Sequence, residues 1–270
     1  MRLPRASGVL LHPTSLPGPF GSGDFGPEAR HFVDWLVAAG QRYWQVLPLA
    51  GIGAGHSPYM STSAFAGNVL LVDLAELAQQ GWLDSADLVS PAVPDAGAVD
   101  FATMVPWRMQ RLARAATRFA EQATPAQRAA REAFAEAHAG WLDDYALFMA
   151  LSEAQGWRDW CDWAPALAAR EPAALAAARG EQAARIDFWT FCQWSFYRQW
   201  AALKAYANER GVEIVGDAPI FIAHHSAEVW ANPRLFELDA SGRPTVVAGV
   251  PPDFFSKTGQ RWGNPLYRWA

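Results

Sequence analysis

Lysine is almost missing from this sequence: Lys204 and Lys257 are the only two, and every other basic residue is arginine. With a net charge of −5 there is no excess of positive charge to attract nucleic acid, and nucleic-acid partners are not expected. Cysteine is equally scarce. Cys161 and Cys192 do not make a disulfide framework, and two thiols in 270 residues fit a reducing compartment. Long apolar runs are missing as well. After Arg2 and Arg5 the apolar stretch 8–11 is cut short by His12 and Pro13, too brief for the core of a signal peptide. No stretch approaches the roughly 20 apolar residues of a membrane helix. These absences predict a soluble, cytoplasmic protein with no membrane partner.

What is present is apolar and aromatic. Hydrophobic residues make up 51% of the chain and charged ones only 18%, enough to build a sizeable core and exclude global disorder. The length suits one large domain, or one domain carrying an insertion. Fourteen tryptophans need an explanation. Most are expected to fill the core, but rings in loops beside glycine and proline offer flat apolar faces that suit the face of a sugar ring.

Three segments read as buried strands: 8–11, 43–49 and 212–215. Between the first two, PEARHFVDWLVAAG reads as a helix opened by Pro27 and stopped by Gly40, with Phe32, Trp35, Leu36 and Ala39 on one face. Strand, helix and strand at this spacing imply a parallel sheet. From about 84 to 211 the chain is Ala-rich and helical. Leu142, Tyr145, Ala146 and Met149 recur at helix spacing, and a second long helix covers about 181–210. That length exceeds an ordinary connection and reads as an inserted helical subdomain. Residues 1–83 then hold the first two strand–helix units. Residues 212–270 hold the third strand, a hairpin through 235–238 and 245–247 with its turn at Ser241 and Gly242, and a final loop. A parallel sheet with long Gly-, Pro- and aromatic-rich loops suggests the start of an α/β barrel, its site at the C-terminal strand ends. Three strands cannot close a barrel, and an open parallel edge calls for further chain or a cover.

Several residues stand where chemistry or binding is expected. In the loop 51–68, Ser57 and Tyr59 face a ligand as hydrogen-bonding group and stacking ring, or else belong to an ordinary tight turn. Asp217, just past the third strand, reads first as a turn residue and second as a hydrogen-bond acceptor at the site. His224 and His225 are adjacent, with no metal-ligand spacing around them, and no metal is expected there. The segment PPDFFSKTGQRWGNPLY is too rich in proline and glycine for a helix or a central strand. It reads as a long binding loop, with a protein-contact loop as the competing reading.

Taken together, HPTSLPGPFGSGDFG, SPYMSTSAFAGN, GDAPIF with HHSAEVWANP, and GRPTVVAGVPPDFFSKTGQRWGNPLY resemble the amylomaltases, the 4-α-glucanotransferases of the retaining α-amylase-like barrel group. The resemblance implies the N-terminal part of a TIM (β/α)8 barrel with a large helical insertion between its second and third strands, and no obligatory metal or organic cofactor. It implies transfer of α-1,4-glucan segments between maltodextrins through a covalent glycosyl intermediate on one carboxylate, a second carboxyl group protonating the departing glycosidic oxygen. Ser57 and Tyr59 are similar to the family's donor-side contacts, and Asp217 to a supporting acid. Asp253, Gln260, Trp262 and Asn264 are similar to its aromatic cleft loop and the base of that loop. Ala54 stands where some relatives carry a tyrosine at an outer glucan site, and His224 and His225 where relatives vary. The family's nucleophile sits in an R-I-D-H-F-R-G block after the W-G-N-P-L-Y segment, and its other essential carboxylates follow. Arg185-Ile186-Asp187 imitates that block but precedes the third strand and reads as helix. The 270 residues are therefore expected to lack the catalytic carboxylates and to be inactive alone. A non-catalytic maltodextrin-binding module is the alternative.

Overall fold

In the computed structural model, which describes residues 5–90 and 98–269, three short strands pair side by side in parallel: β1 (Gly8–Leu10), β2 (Tyr43–Gln45) and β3 (Glu213–Val215). The register puts Val9 beside Trp44 and Trp44 beside Ile214. The strands are shorter than their apolar runs and, against the expectation of buried strands, only Trp44 of β2 is buried while β1 and β3 are largely exposed. Beyond them the backbone turns toward loops, keeping single ladder bonds from Leu11 N–H to Gln45 and from Val46 N–H to Val215. Gly8 permits the close approach of β1 to β2, because a Cβ there would lie 2.4 Å from the Tyr43 carbonyl oxygen. Trp44 is fully buried, and its indole N–H donates to the Leu11 carbonyl at 2.7 Å.

Eight α-helices accompany these strands among the described residues: α1 (Pro27–Ala38), α2 (Leu74–Gln79), α3 (Phe101–Gln122), α4 (Pro125–Ala154), α5 (Pro165–Ala168), α6 (Pro172–Glu181), α7 (Ala183–Glu209) and α8 (Ala227–Ala231). α1 begins with Pro27 at its first position, and Gly40 just past its end adopts φ +67°. Of the expected Phe32, Trp35, Leu36 and Ala39, only Leu36 is buried; the buried face of α1 is Ala29, Val33 and Leu36. Steps of four and three residues keep those three on one line, whereas Trp35 lies about 100° away, half-exposed and stacked on Phe32 at 5.7 Å. In α4, Leu142, Tyr145, Ala146 and Met149 are all buried as their spacing predicts.

A two-stranded antiparallel sheet ends the described chain: β4 (Val247–Val250) and β5 (Gln260–Pro265). This corrects two expectations. The last segment is a strand-paired hairpin and not a structureless loop. The hairpin expected at 235–247 shrinks to single bridges, Leu238 with Pro244 and Phe236 with Tyr267. Proline density argued against a strand, but Pro251 and Pro252 fall in the turn and Pro265 at the end of β5, where no ladder bond is interrupted.

The chain divides into two compact units. The first comprises residues 1–49, 67–135 and 191–217 and holds the parallel sheet. Its core joins Trp82, Phe119, Phe191 and Trp194, with ring centroids 5.0–6.1 Å apart. Two glutamines of α7 fasten the chain that follows β2. Gln193 accepts from Gly67 N–H at 2.8 Å and donates to its carbonyl at 3.0 Å, and Gln199 does the same for Asp73 at 2.7 and 3.1 Å. The second unit comprises residues 50–66, 136–190 and 218–270. Phe148, Trp163 and Trp230 form its aromatic centre, and the Trp230 indole donates to the Leu167 carbonyl at 3.0 Å.

Candidate functional site

Unit one carries His12 and Asp217 past the C-terminal ends of β1 and β3, the end at which parallel-sheet sites form. His12 caps the short turn Pro13–Ser15: its Nδ1 accepts from Thr14 N–H at 3.3 Å, while Nε2 reaches the Pro48 carbonyl at 3.4 Å. A carbonyl only accepts, so Nε2 carries the proton. Burial lowers the pKa of this ring, keeping it neutral. Asp217 is exposed in an irregular segment.

In unit two, Ser57 opens the 3-10 turn Pro58–Met60. Its hydroxyl accepts from Tyr59 N–H at 3.3 Å, and its carbonyl from Met60 N–H at 3.2 Å. Pro58 presets the turn, and Gly53 lets the loop close, because a Cβ at Gly53 would sit 1.7 Å from the Met60 carbonyl oxygen. The Tyr59 side is left 41% exposed. The rest of the loop is tied down by Ser61 and Ser63. Ser63 Oγ accepts from Phe65 and Ala66 N–H at 3.1 and 3.0 Å and donates to Glu228 Oε1 at 2.6 Å. Glu228, in α8, is a buried carboxyl that the sequence reading did not single out. Burial raises its pKa, the Ser63 bond opposes that shift, and Oε2 has no hydrogen-bond partner. The only local sign of it is Ser226 capping α8 two residues earlier.

The β4–β5 hairpin organises the remaining candidates. Asp253 does not point its carboxylate outward: Oδ1 accepts from Phe255 and Ser256 N–H at 2.9 and 2.7 Å. Ser256 Oγ then donates to the Gly259 carbonyl at 2.7 Å. Gly259 adopts φ +76°, and a Cβ there would meet the Val250 carbonyl at 2.5 Å, so the turn requires glycine. The result is a tip braced by its own hydrogen bonds that projects two phenylalanines. Phe254 is 96% and Phe255 88% exposed, with rings perpendicular at 5.6 Å. Gln260 and Trp262 are brought together, Trp262 Nε1 donating to Gln260 Oε1 at 3.2 Å, and the Trp262 face is 43% exposed. Asn264 is buried, and its amide donates to the Ile222 carbonyl at 3.0 Å, so it anchors the base of the hairpin. Asp187 lies within α7, as its sequence context predicts. No helix among the described residues is long and apolar enough to cross a membrane.

The profile of the family described as 4-alpha-glucanotransferase matches residues 11–270. The chain is 55% identical to a 4-alpha-glucanotransferase of Thermus thermophilus, covering 100% of this chain and 53% of that protein. It is 40% identical to a chloroplastic/amyloplastic 4-alpha-glucanotransferase of Solanum tuberosum, covering 98% and 46%. The fold superposes on an amylomaltase from Streptococcus agalactiae in complex with acarbose with a TM-score of 0.94 and 41% identity, covering 98% of this chain and 54% of that one. The chain thus spans about half the length of the curated relatives it matches. A profile match over nearly every residue, joined to the same backbone at 41% identity, establishes that this chain belongs to the 4-alpha-glucanotransferase family.

Proposed function

We propose that these residues supply glucan contacts for an amylomaltase-type transferase, which moves α-1,4-glucan segments between maltodextrins by a retaining double displacement. The observation that carries this reading is the β4–β5 tip. Two almost fully exposed phenylalanines stand on a turn locked by Asp253, Ser256 and Gly259, which water alone does not favour. Rings held in this way can lie against the apolar faces of glucose units and exclude water from a glycosyl intermediate, favouring a sugar acceptor over hydrolysis. In this reading Tyr59 and Trp262 stack on sugars, and Ser57, Asp217 and Gln260 supply polar contacts. Asp253 and Asn264 act by shaping and anchoring the hairpin.

Residues 1–83 correspond to the first two strand–helix units of a TIM barrel, 84–211 to a helical insertion, and 212–270 to the third strand with its cleft loop. The parallel order β1-β2-β3, with six of the eight described helices between β2 and β3, supports that reading. Two cysteines, Cys161 and Cys192, with no disulfide between them, fit a reducing cytoplasm.

The 270 residues by themselves are proposed to be inactive. Among the described residues, the buried aspartates are committed to other groups, Asp24 to Arg108, Asp87 to Arg114 and to Asp84 N–H, and Asp73 to the start of α2, while the partly buried Glu228 is held through one oxygen by Ser63. Incubation with maltotriose tests this. The 270-residue chain should release no glucose and form no longer maltodextrins, while a protein of the relatives' full length carrying this sequence should do both. Transfer by the 270-residue chain would overturn the assignment of the chemistry elsewhere. The exposed rings also admit a second reading, a maltodextrin-binding module without catalysis. Saturable quenching of tryptophan fluorescence by maltoheptaose, weakened in Trp262→Ala, supports binding by this half; no saturable change argues against it.

A further inference from the structure

The strongest feature outside the sugar-binding loops lies in unit two. The short 3-10 turn Trp160–Asp162 and the segment before α8 meet there, although they are more than sixty residues apart in sequence. Three side chains of different chemistry converge at that point. A carboxylate oxygen of Asp159, the sulfur of Cys161 and a ring nitrogen of His224 all lie within 4.8 Å of one another. We infer that Asp159, Cys161 and His224 form a binding site for a zinc-like divalent cation that ties these two segments together.

The donor set selects the class of ion. One thiolate, one imidazole and one carboxylate suit borderline-soft Zn2+, whereas Mg2+ and Ca2+ take oxygen ligands. The frame is already built. Trp160, between the two ligands of its own turn, donates its indole N–H to the His224 carbonyl at 2.9 Å and its backbone N–H to His225 Nδ1 at 3.2 Å. Its ring lies 5.4 Å from that of His224.

His224 is oriented from behind in the way metal-bound histidines usually are. Its Nε2 lies 2.7 Å from the Gly242 carbonyl. Because a carbonyl only accepts, Nε2 holds the proton and Nδ1 presents its lone pair. His225 is excluded as a ligand, since Nδ1 already accepts from Trp160 and Nε2 meets Ser152 Oγ at 3.3 Å. The nearby cation Arg243 is neutralised by Asp162 at 2.5 Å.

Ligand atoms around tetrahedral zinc stand about 3.3–3.8 Å apart, so the three atoms must close by roughly 1 Å. Asp159 is half-exposed, its Oδ1 3.9 Å from His225 Nδ1, which already accepts from Trp160, so its side chain can make that adjustment. With three protein ligands, water takes the fourth position. Binding replaces the Cys161 S–H bond by a sulfur–metal bond and releases one proton to solvent.

The test uses the 270-residue chain, first stripped with chelator, and two cations as probes. Titration with Co2+ should give a thiolate-to-cobalt charge-transfer band that saturates at one equivalent. Zn2+ should displace the cobalt and raise the thermal midpoint. Cys161→Ser should abolish the band, and His224→Ala should weaken zinc binding by more than about tenfold. Cys192→Ser, which removes the other, buried thiol, should change neither. Circular dichroism of the apo-variants separates loss of a ligand from loss of folding. Absence of the band in the folded wild-type chain, or equal zinc affinity in wild type, Cys161→Ser and His224→Ala, would overturn the site.

Discussion

Ser63 Oγ donates to Glu228 Oε1 at 2.6 Å, joining the end of the Ser57–Tyr59 loop to α8 across 165 residues of sequence. The carboxyl it meets is buried, and burial raises its pKa above the ordinary 4.5. A raised folded-state value means that the native protein keeps this proton when the unfolded chain has lost it. Stability from Glu228 is therefore fully present below about pH 4.5 and falls as pH rises toward the folded value. Glu228→Gln, which mimics the neutral acid, should be the more stable form at pH 7.5 and lose that advantage at pH 4. Urea unfolding at the two pH values measures it, and an advantage independent of pH would refute the titration.

Asp73 behaves in the same sense with a defined window. Burial, reinforced by the neighbouring carboxylate of Asp24, raises its pKa from 3.8 to about 6. Its contribution is present below pH 3.8 and lost as pH approaches 6. Asp73→Asn keeps an oxygen to accept from Ala75 N–H, now at 2.8 Å, and so retains the cap of α2. The variant should gain roughly 2–3 kcal/mol at pH 7.5 and nothing near pH 3.5. Denaturant midpoints across that range give the answer.

Gln193 and Gly67 predict a large loss of stability remote from any sugar. Gln193→Ala strips partners from a buried N–H and a buried carbonyl, at about 2–4 kcal/mol. Gly67→Ala places a methyl 2.1 Å from the Phe196 ring and should cost at least as much, through displacement of α7. Equilibrium unfolding with an unchanged slope would show both effects as loss of native stability.

The tip of the β4–β5 hairpin should give the opposite result. Phe254 and Phe255 are exposed, so replacing both with serine should alter stability by less than about 0.5 kcal/mol. In a full-length transferase carrying this sequence, the same change should lower transfer relative to hydrolysis about tenfold, read as the ratio of longer maltodextrins to free sugar. An unchanged ratio would remove the rings from the proposed site.

Gly259→Ala separates ring chemistry from loop geometry. It keeps both phenylalanines but cannot hold φ +76° or the 2.5 Å approach to Val250 without strain. It should reproduce the functional loss of the double serine variant, together with a destabilisation of about 1–3 kcal/mol in thermal melts.

Local chemistry made much of this protein legible in the sequence. Pro27 and Gly40 bracket α1, apolar runs mark the three strands, and the helical spacing of Leu142, Tyr145, Ala146 and Met149 places them in the core. The dense block from Gly249 to Tyr267 carries the family resemblance, and the profile match confirms it. Each of those signals lies within a few residues of its effect. The sequence alone did not reveal that the same block pairs as β4 and β5, because its prolines turn out to sit where no ladder bond is needed. Nor could it bring Ser63 to Glu228, Gln193 to Gly67, or Asp159 and Cys161 to His224. Periodicity and turn chemistry act over one or two turns of chain. Contacts across a hundred residues, and the burial that shifts the pKa of Asp73 and Glu228, exist only once packing has excluded water between distant segments.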